Sequence, residues 1–259
     1  MKIDLRLLAA ASLGCAMQAA VAADLTAAQV RGVVQRSTPA APADLHGRDL
    51  GDLDLSNFDL RGANLAGASL FGSKLVSADL RGADLHGANL NGAWLMGADF
   101  SNANLAGASL LSVVVLGGDV KKMPVFRGAA MAGVKMIADL PGADLSGADL
   151  RNATIGVNIR NQGMGQMRTD LSGANLAGVN LAGADVNRTL LPFANLRGAN
   201  LRGANFYRAN LGGADLSGAD LTGADFAEAD LNGTILRDVA GLAEAKGLDR
   251  AENFDKAVR

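Results

Sequence analysis

The sequence is poor in what builds an ordinary globular core or an active site. Of 259 residues, one is tryptophan, one tyrosine, one cysteine, two are histidine and five are proline, and aromatics make up only 4%. The single cysteine, Cys15, lies in the N-terminal segment. A chain cut after Ala22 therefore has no thiol, which excludes disulfides, thiolate catalysis and cysteine-ligated metal together. The histidines, His46 and His86, are forty residues apart and make a poor metal pair. Charge is nearly balanced at −2, and removing residues 1–22 leaves −3. Neither value implies general attraction to nucleic acid or to an anionic membrane. No apolar run is long enough to span a bilayer comfortably.

The N-terminus has the parts of a secretion signal. Lys2 and Arg6 give a basic start, weakened by Asp4; Leu7–Met17 is a short apolar run; Ala20-Val21-Ala22 is a small-x-small cleavage site. The expected mature protein begins at Ala23 and is periplasmic or secreted. Lipid anchoring at Cys15 is disfavoured, because Ser12 stands where that signal prefers a large aliphatic residue.

What is abundant is a period. Leu or Phe returns every fifth residue from Leu45 to Leu110, and Leu, Val or Phe does so again from Leu171 to Leu236. Each central residue is usually preceded by Asp or Asn, has Ala two before it, and Gly two after it. Five fits neither a helix nor a strand. It fits a chain that turns a corner every five residues, with one large and one small inward side chain per side and glycine at the corner. Ala83-Asp84-Leu85-His86-Gly87 and Ala219-Asp220-Leu221-Thr222-Gly223 match the motif of the pentapeptide-repeat proteins at every position. The chain resembles that family over residues 43–237. The resemblance implies an all-β solenoid, a right-handed quadrilateral β-helix of 20 residues per coil, with coils about 4.8 Å apart.

The ends and the breaks are different in kind. Thr26-Ala27-Ala28-Gln29 reads as a capping box opening a short helix within an N-terminal cap and linker, residues 23–42. Residues 238–259 read as two short amphipathic helices capping the other end, with a homodimer contact through this cap as the alternative role. The repeat decays over about 112–139: 117–125 reads as a loop, and Phe126, Met131 and Met136 continue one register late. A second break covers 156–170, where Leu171 follows Ile155 by sixteen residues, one more than three repeats.

The inventory supports no enzyme, catalytic residues, metal site or cofactor. Asp59, Asp79, Asp99 and Asp119 should stack down one side, relieved by Arg61, Arg81 and Lys121. Met123, Met131, Met136, Met164 and Met167 cluster near the breaks and raise copper(I), though Met131 and Met136 hold inward positions. Winding the first run at 20 residues per turn gathers an apolar stripe of Val76, Trp94, Met96, Val114 and Leu116, beside Phe71 and Leu111, in a surface otherwise of Ser, Arg, Asn and Ala. Arg160 and Arg168 flank the second break and can hold a partner carboxylate. The expected function is a non-enzymatic exported module that binds a protein partner, of a kind the sequence does not specify, through that stripe and the two non-repeat segments. No nucleic acid is expected. The alternative follows from the resemblance: some family members mimic DNA and bind gyrase, which demands a chain that is not exported and a strongly acidic surface. Mass spectrometry of the mature protein from a periplasmic fraction is expected to find Ala23 as its first residue; a cytosolic protein retaining residues 1–22 would contradict export.

Overall fold

The computed structural model describes residues 23–115, 122–156 and 168–259. The chain winds as a stack of coils with four sides, each side one residue of parallel bridge wide. Side one bears the centres Leu45, Leu65 and Leu85; side two Leu50, Leu70 and Leu90; side three Leu55, Leu75 and Leu95; side four Leu60, Leu80 and Phe100, all buried. The residue before each centre bridges to the one twenty along, as in Asp44 to Asn64, Asn64 to Asp84 and Asp54 to Lys74. Each such residue clasps the coil before with both backbone groups, Asn64 N–H donating to Ala43 O at 2.8 Å and its carbonyl accepting from Leu45 N–H at 2.8 Å. Ala63 O and Leu65 N–H, on either side of it, bond Asp84 of the coil after.

The corners explain the glycines. Ala63 N–H donates back to Leu60 O at 3.0 Å, closing a four-residue turn whose third residue, Gly62, has φ +63°. A β-carbon built on Gly62 meets nothing within 4 Å, so glycine is there for its left-handed backbone and not for room. Pro141 fits the second position of such a turn, before Gly142 at φ +69°. Inside, one Leu and one Ala per side fill the cross-section. Phe replaces Leu in two places where it can stack on another Phe: Phe100 on Phe126 at 5.1 Å, and Phe206 on Phe226 at 5.2 Å. Outside, the Asp or Asn before each centre accepts from the N–H two residues on, and asparagines also donate to the coil before, as Asn64 does to Asp44 at 3.0 Å.

The breaks are shorter and more sharply bounded in the chain than the sequence suggests. Trp94 bridges Val114 on side three; Asp99 then bridges Val125 on side four. Gly97 N–H bonds Lys122 O at 2.7 Å, where a twenty-residue step would place residue 116. Six residues are thus added at the corner between sides three and four. The wall resumes at Lys122, so 122–139 belongs to the solenoid and not to a break. Phe126, Met131 and Met136 are its buried centres. Val125, and not Asp119, continues the row of Asp59, Asp79 and Asp99, and Asp119 and Lys121 lie outside the described residues. The second break departs from the expectation of one extra residue. Thr154 on side two bridges Asp185, while Asp170 on side three bridges Leu190. Leu171 therefore belongs to the side next after Ile155, and eleven residues are added, not one. A single residue is lost between Met136 and Leu140, where β1 (Ser109–Leu111) pairs in parallel with β2 (Lys135–Ile137) and carries the bridge into the corner.

At the N-terminal end α1 (Ala27–Arg36) begins with the full capping box: Thr26 accepts from Gln29 N–H, and Gln29 accepts from Thr26 N–H at 2.7 Å. Val30 is buried against the first coil, and Asp24 and Asp49 bond through their backbones at 2.8 Å. The other end does not form the amphipathic helices expected of it. Leu242–Glu244 and Phe254–Lys256 are single 3-10 turns. Between them the chain continues the coil, with Lys246 bridged to Asp225, Glu252 to Asp230 and Val258 to Ile235. The backbone ladder of the preceding coil outcompetes helix formation in a segment with too few consecutive apolar turns.

Four buried polar residues sit among the small inward positions. Ser73, Thr169 and Thr234 donate to carbonyls at 2.8 Å, whereas the Thr189 hydroxyl has no partner. Replacing it with a methyl removes an unsatisfied buried group. Thr189→Val is expected to raise the unfolding free energy by about 1 kcal/mol in urea titration.

Candidate interaction surface

Side three differs from the others in what it shows to solvent. Down its line of bridging positions run Asp54, Lys74, Trp94, Val114, Asp139, Asp170 and Leu190. Trp94 and, at the adjoining corner, Phe71 are exposed, the latter at 54%. Val76, Leu111 and Val114 are half-buried beside them, and the Lys74 ammonium lies 5.8 Å from the Trp94 ring centre. The β1–β2 pairing sets Ile137 against Leu111, extending the apolar edge by a residue that the sequence pattern hides, because the one-residue deletion after Met136 obscures its phase. Met96 does not belong to the surface. It is 3% exposed, at the corner where the chain returns at Lys122. Leu116 and Arg160 lie outside the described residues. Arg168 is exposed where the chain rejoins the wall, two residues before Asp170.

Both added segments leave from the margins of this one side: the first between Val115 and Lys122, at its edge with side four, and the second between Gly156 and Arg168, at its edge with side two. Between those departures the ladder of side three is interrupted. Trp94 bridges Val114 and Asp139 bridges Asp170, but no bridge joins Val114 to Asp139 among the described residues.

A second apolar group lies further along. Leu190 and Pro192 are half-buried, and Phe193 is 76% exposed with φ +58°. A bulky side chain in the left-handed region is strained, and the corner normally carries glycine. One coil on, a β-carbon on Gly213 would lie 2.6 Å from the Phe193 ring, so that glycine makes room for the phenyl as well as for the turn. The sequence signal was present: Phe at a position that the motif gives to Gly. Nearby, at the edge with side two, Tyr207 lies between the guanidinium groups of Arg188 and Arg208, at 6.0 and 5.0 Å, and donates to Glu228 at 3.1 Å. Arg208 closes on Glu228 at 2.5 Å, so this cluster satisfies itself.

Elsewhere the wall neutralises its acids. On side four Arg61 bonds Asp59 at 2.6 Å and approaches Asp79 at 3.6 Å; Arg81 bonds Asp79 at 2.5 Å and approaches Asp99 at 3.9 Å. The Arg81 hydrogen bond holds the Asp79 carboxyl below its ordinary range. Bonds from Thr222, and then from Arg202, lower Asp220 to about 2. Asp139 goes the other way. Although the residue is exposed, its carboxyl lies close enough to the wall for desolvation to raise its pKa, and the charge of Asp170 adds to the effect. Among the described residues no Arg or Lys lies within 4 Å of either carboxylate. His86 faces Asp84 at 3.0 Å, and no group of three metal-ligating side chains converges among the described residues.

A family model for pentapeptide repeats matches eight copies, between residues 43 and 112, 138 and 155, and 169 and 238. The chain belongs to the pentapeptide-repeat family. The gap at 156–168 holds the second added segment, and the gap at 113–137 holds the first together with the coil from Lys122, whose repeats depart from the motif. Among solved structures, it is similar to HetL, a pentapeptide-repeat protein of Nostoc sp. strain PCC 7120 involved in heterocyst differentiation regulation, with 29% identity over 85% of this chain and 90% of that one and a TM-score of 0.36. It is also similar to a pentapeptide-repeat protein of the Arabidopsis thaliana thylakoid lumen, at 35% identity over 38% of this chain and 63% of that one, TM-score 0.34. QnrB1, a plasmid-mediated fluoroquinolone resistance protein, aligns at 23% identity over 82% and 92% of the two chains, TM-score 0.38. A comparison with curated protein sequences gave no match.

The opposite pKa directions give opposite pH dependences. The lowered carboxylates of Asp79 and Asp220 stabilise the fold above their unfolded values, and that contribution is lost as pH falls through their folded ones. The raised Asp139 carboxyl costs stability when ionised, a cost relieved as pH falls through its folded value. Asp139→Asn is therefore expected to raise the melting temperature at neutral pH, with the gain vanishing under acid conditions, in melts recorded across a pH series.

Proposed function

We propose that this pentapeptide-repeat protein is a non-enzymatic, exported interaction module, wound as the right-handed quadrilateral β-helix of its family, that binds a protein partner through side three and the two segments at its margins. The observation carrying the reading is the coincidence of two independent departures from the repeat. The outward positions turn apolar at Val76, Trp94, Leu111 and Val114 on the side from whose edges both added segments leave. Exposed apolar groups on an otherwise polar surface mark contacts, and loops carried by a rigid scaffold are where recognition concentrates. The export signal accords with a wall that needs no thiol. The DNA-mimic reading has less to draw on, because the acidic rows of side four are matched by Arg61 and Arg81.

Val76→Ser with Trp94→Ser tests the surface. The expected outcome is an unchanged far-ultraviolet spectrum and melting curve, together with loss of the partner cross-linked by a photoreactive residue at position 114. Unfolding of the double variant would instead make these side chains part of the core, and retained cross-linking would place recognition on another side.

A further inference from the structure

The acidic pair on side three stands apart from every way this wall handles stacked side chains elsewhere. Where acids stack on side four, Arg61 and Arg81 lie over them. On the other sides an asparagine faces the acid and donates to it: Asn64 to Asp44 at 3.0 Å, Asn104 to Asp84 at 2.9 Å and Asn205 to Asp185 at 3.0 Å. Where Glu252 follows Asp230, Asn253 donates to Asp230 at 2.9 Å. Asp139 and Asp170 are bridge partners with neither device: Asp170 accepts from Ser172 on its own coil, and nothing among the described residues bonds the Asp139 carboxyl. An asparagine at either position would supply the donor that the other sides use. The side pays in stability for a doubled negative charge at one point.

That point is centred in an apolar line. Along the bridging positions the order is Trp94, Val114, Asp139, Asp170, Leu190, with Phe193 at the corner beside Leu190. At about 4.8 Å per coil the line is roughly 19 Å long, the length of about six residues of extended chain. We propose that side three docks a peptide segment of its partner carrying a Lys or Arg between apolar residues, the cation seated on Asp139 and Asp170 and the apolar side chains on Trp94–Val114 and on Leu190–Phe193. The proposal rests on the reading of side three as an interaction surface and adds the chemistry of what binds there. Hydrophobic contact supplies the area. The carboxylate pair fixes the register, because a segment slid by one coil buries its cation against Val114 or Leu190, and a segment lacking the cation leaves both carboxylates desolvated and unpaired.

Trp94 is the only tryptophan, so its emission reports occupancy directly. Short random peptides displayed on phage are panned against the full chain, and the enriched sequences are synthesised and titrated while Trp94 fluorescence is followed. The expected result is enrichment of peptides with Lys or Arg flanked by apolar residues. Their affinity should fall roughly tenfold, about 1.4 kcal/mol, on the Asp139→Asn, Asp170→Asn variant, whose melting temperature is not lowered. Failure to enrich any peptide, enrichment of sequences without a basic residue, or equal affinity for the Asn variant would overturn the proposal. Binding to Val76→Ser, Trp94→Ser, which lacks the tryptophan, is read from the anisotropy of the same peptides carrying a fluorescent label. Equal affinity for the Asn variant with binding lost on the serine variant would overturn only the seat for the cation and leave the docking surface standing; indifference to both variants would remove the two together. Self-association through side three, seen by sedimentation and abolished by the serine variant, would likewise overturn a basic peptide as its occupant.

Discussion

The backbone ladder between coils is the interaction on which everything else in this molecule depends. Each side contributes a single bridging residue whose N–H and carbonyl both bond the coil before, as Asn64 does with Ala43 O and Leu45 N–H. Its two neighbours carry the bonds to the coil after, Ala63 O accepting from Asp84 N–H and Leu65 N–H donating to Asp84 O. With bridges one residue wide, there is no strand long enough to hold register by itself. Register is held by what lies on either flank: the inward Leu or Phe and Ala on one hand, and the left-handed corner on the other. A residue added within a side would rotate every later inward position out of the core. Additions therefore leave at corners, as both do here, six residues between sides three and four and eleven between sides two and three. After the second the wall takes up its twenty-residue step at once, Asp170 bridging Leu190 and Asn175 bridging Asn195, whereas after the first one coil is a residue short, Val125 bridging Asp144 and Ala130 bridging Asp149.

The same constraint explains what the amino-acid sequence could reveal. The interior was legible almost residue by residue, because one large and one small side chain per side leave no freedom: Leu45, Ala63, Phe100 and Met131 are buried as their phase demands. The capping box at Thr26 and Gln29 was legible because it is a local device. Counting by fives failed at the breaks, since sixteen residues between Ile155 and Leu171 read equally as three repeats and one extra, or as one repeat and eleven extra. Only the pairing of Asp139 with Asp170 and of Thr154 with Asp185 separates these. The tail misled for a related reason. Leu242, Ala245 and Leu248, and then Phe254 and Ala257, have helical spacing, yet each packs on the coil below as part of one more turn of the wall.

The outer surface was only half legible. Phe71, Val76, Trp94, Leu111 and Val114 could be gathered once the coil length was known, because apolar residues stand out among Ser and Asn. Met96 was indistinguishable from them by type, and the chain returning at Lys122 takes it out of solvent. Leu190 and Phe193 belong to the same side, but they sit beyond both breaks, where a miscount of added residues assigns them elsewhere. Asp139 and Asp170 look like ordinary members of the Asp/Asn position. Their singularity lies in being adjacent, and thirty-one residues separate them in the chain.

The missing bridge between Val114 and Asp139 has a mechanical side. A solenoid transmits stability from coil to coil, each coil held by its immediate neighbours, so its cooperativity is set by its weakest junction. At this junction three ladders continue, through Asp99 and Val125, Asn104 and Ala130, and β1 and β2, while the fourth is broken. At this one junction the coils are therefore held by three ladders instead of four, over a core that runs through without a break. The side whose ladder is broken is the one bearing Trp94, Asp139 and the departures of both added segments. A ligand lying across side three would span that gap from outside and tie together the two coils whose fourth ladder is missing.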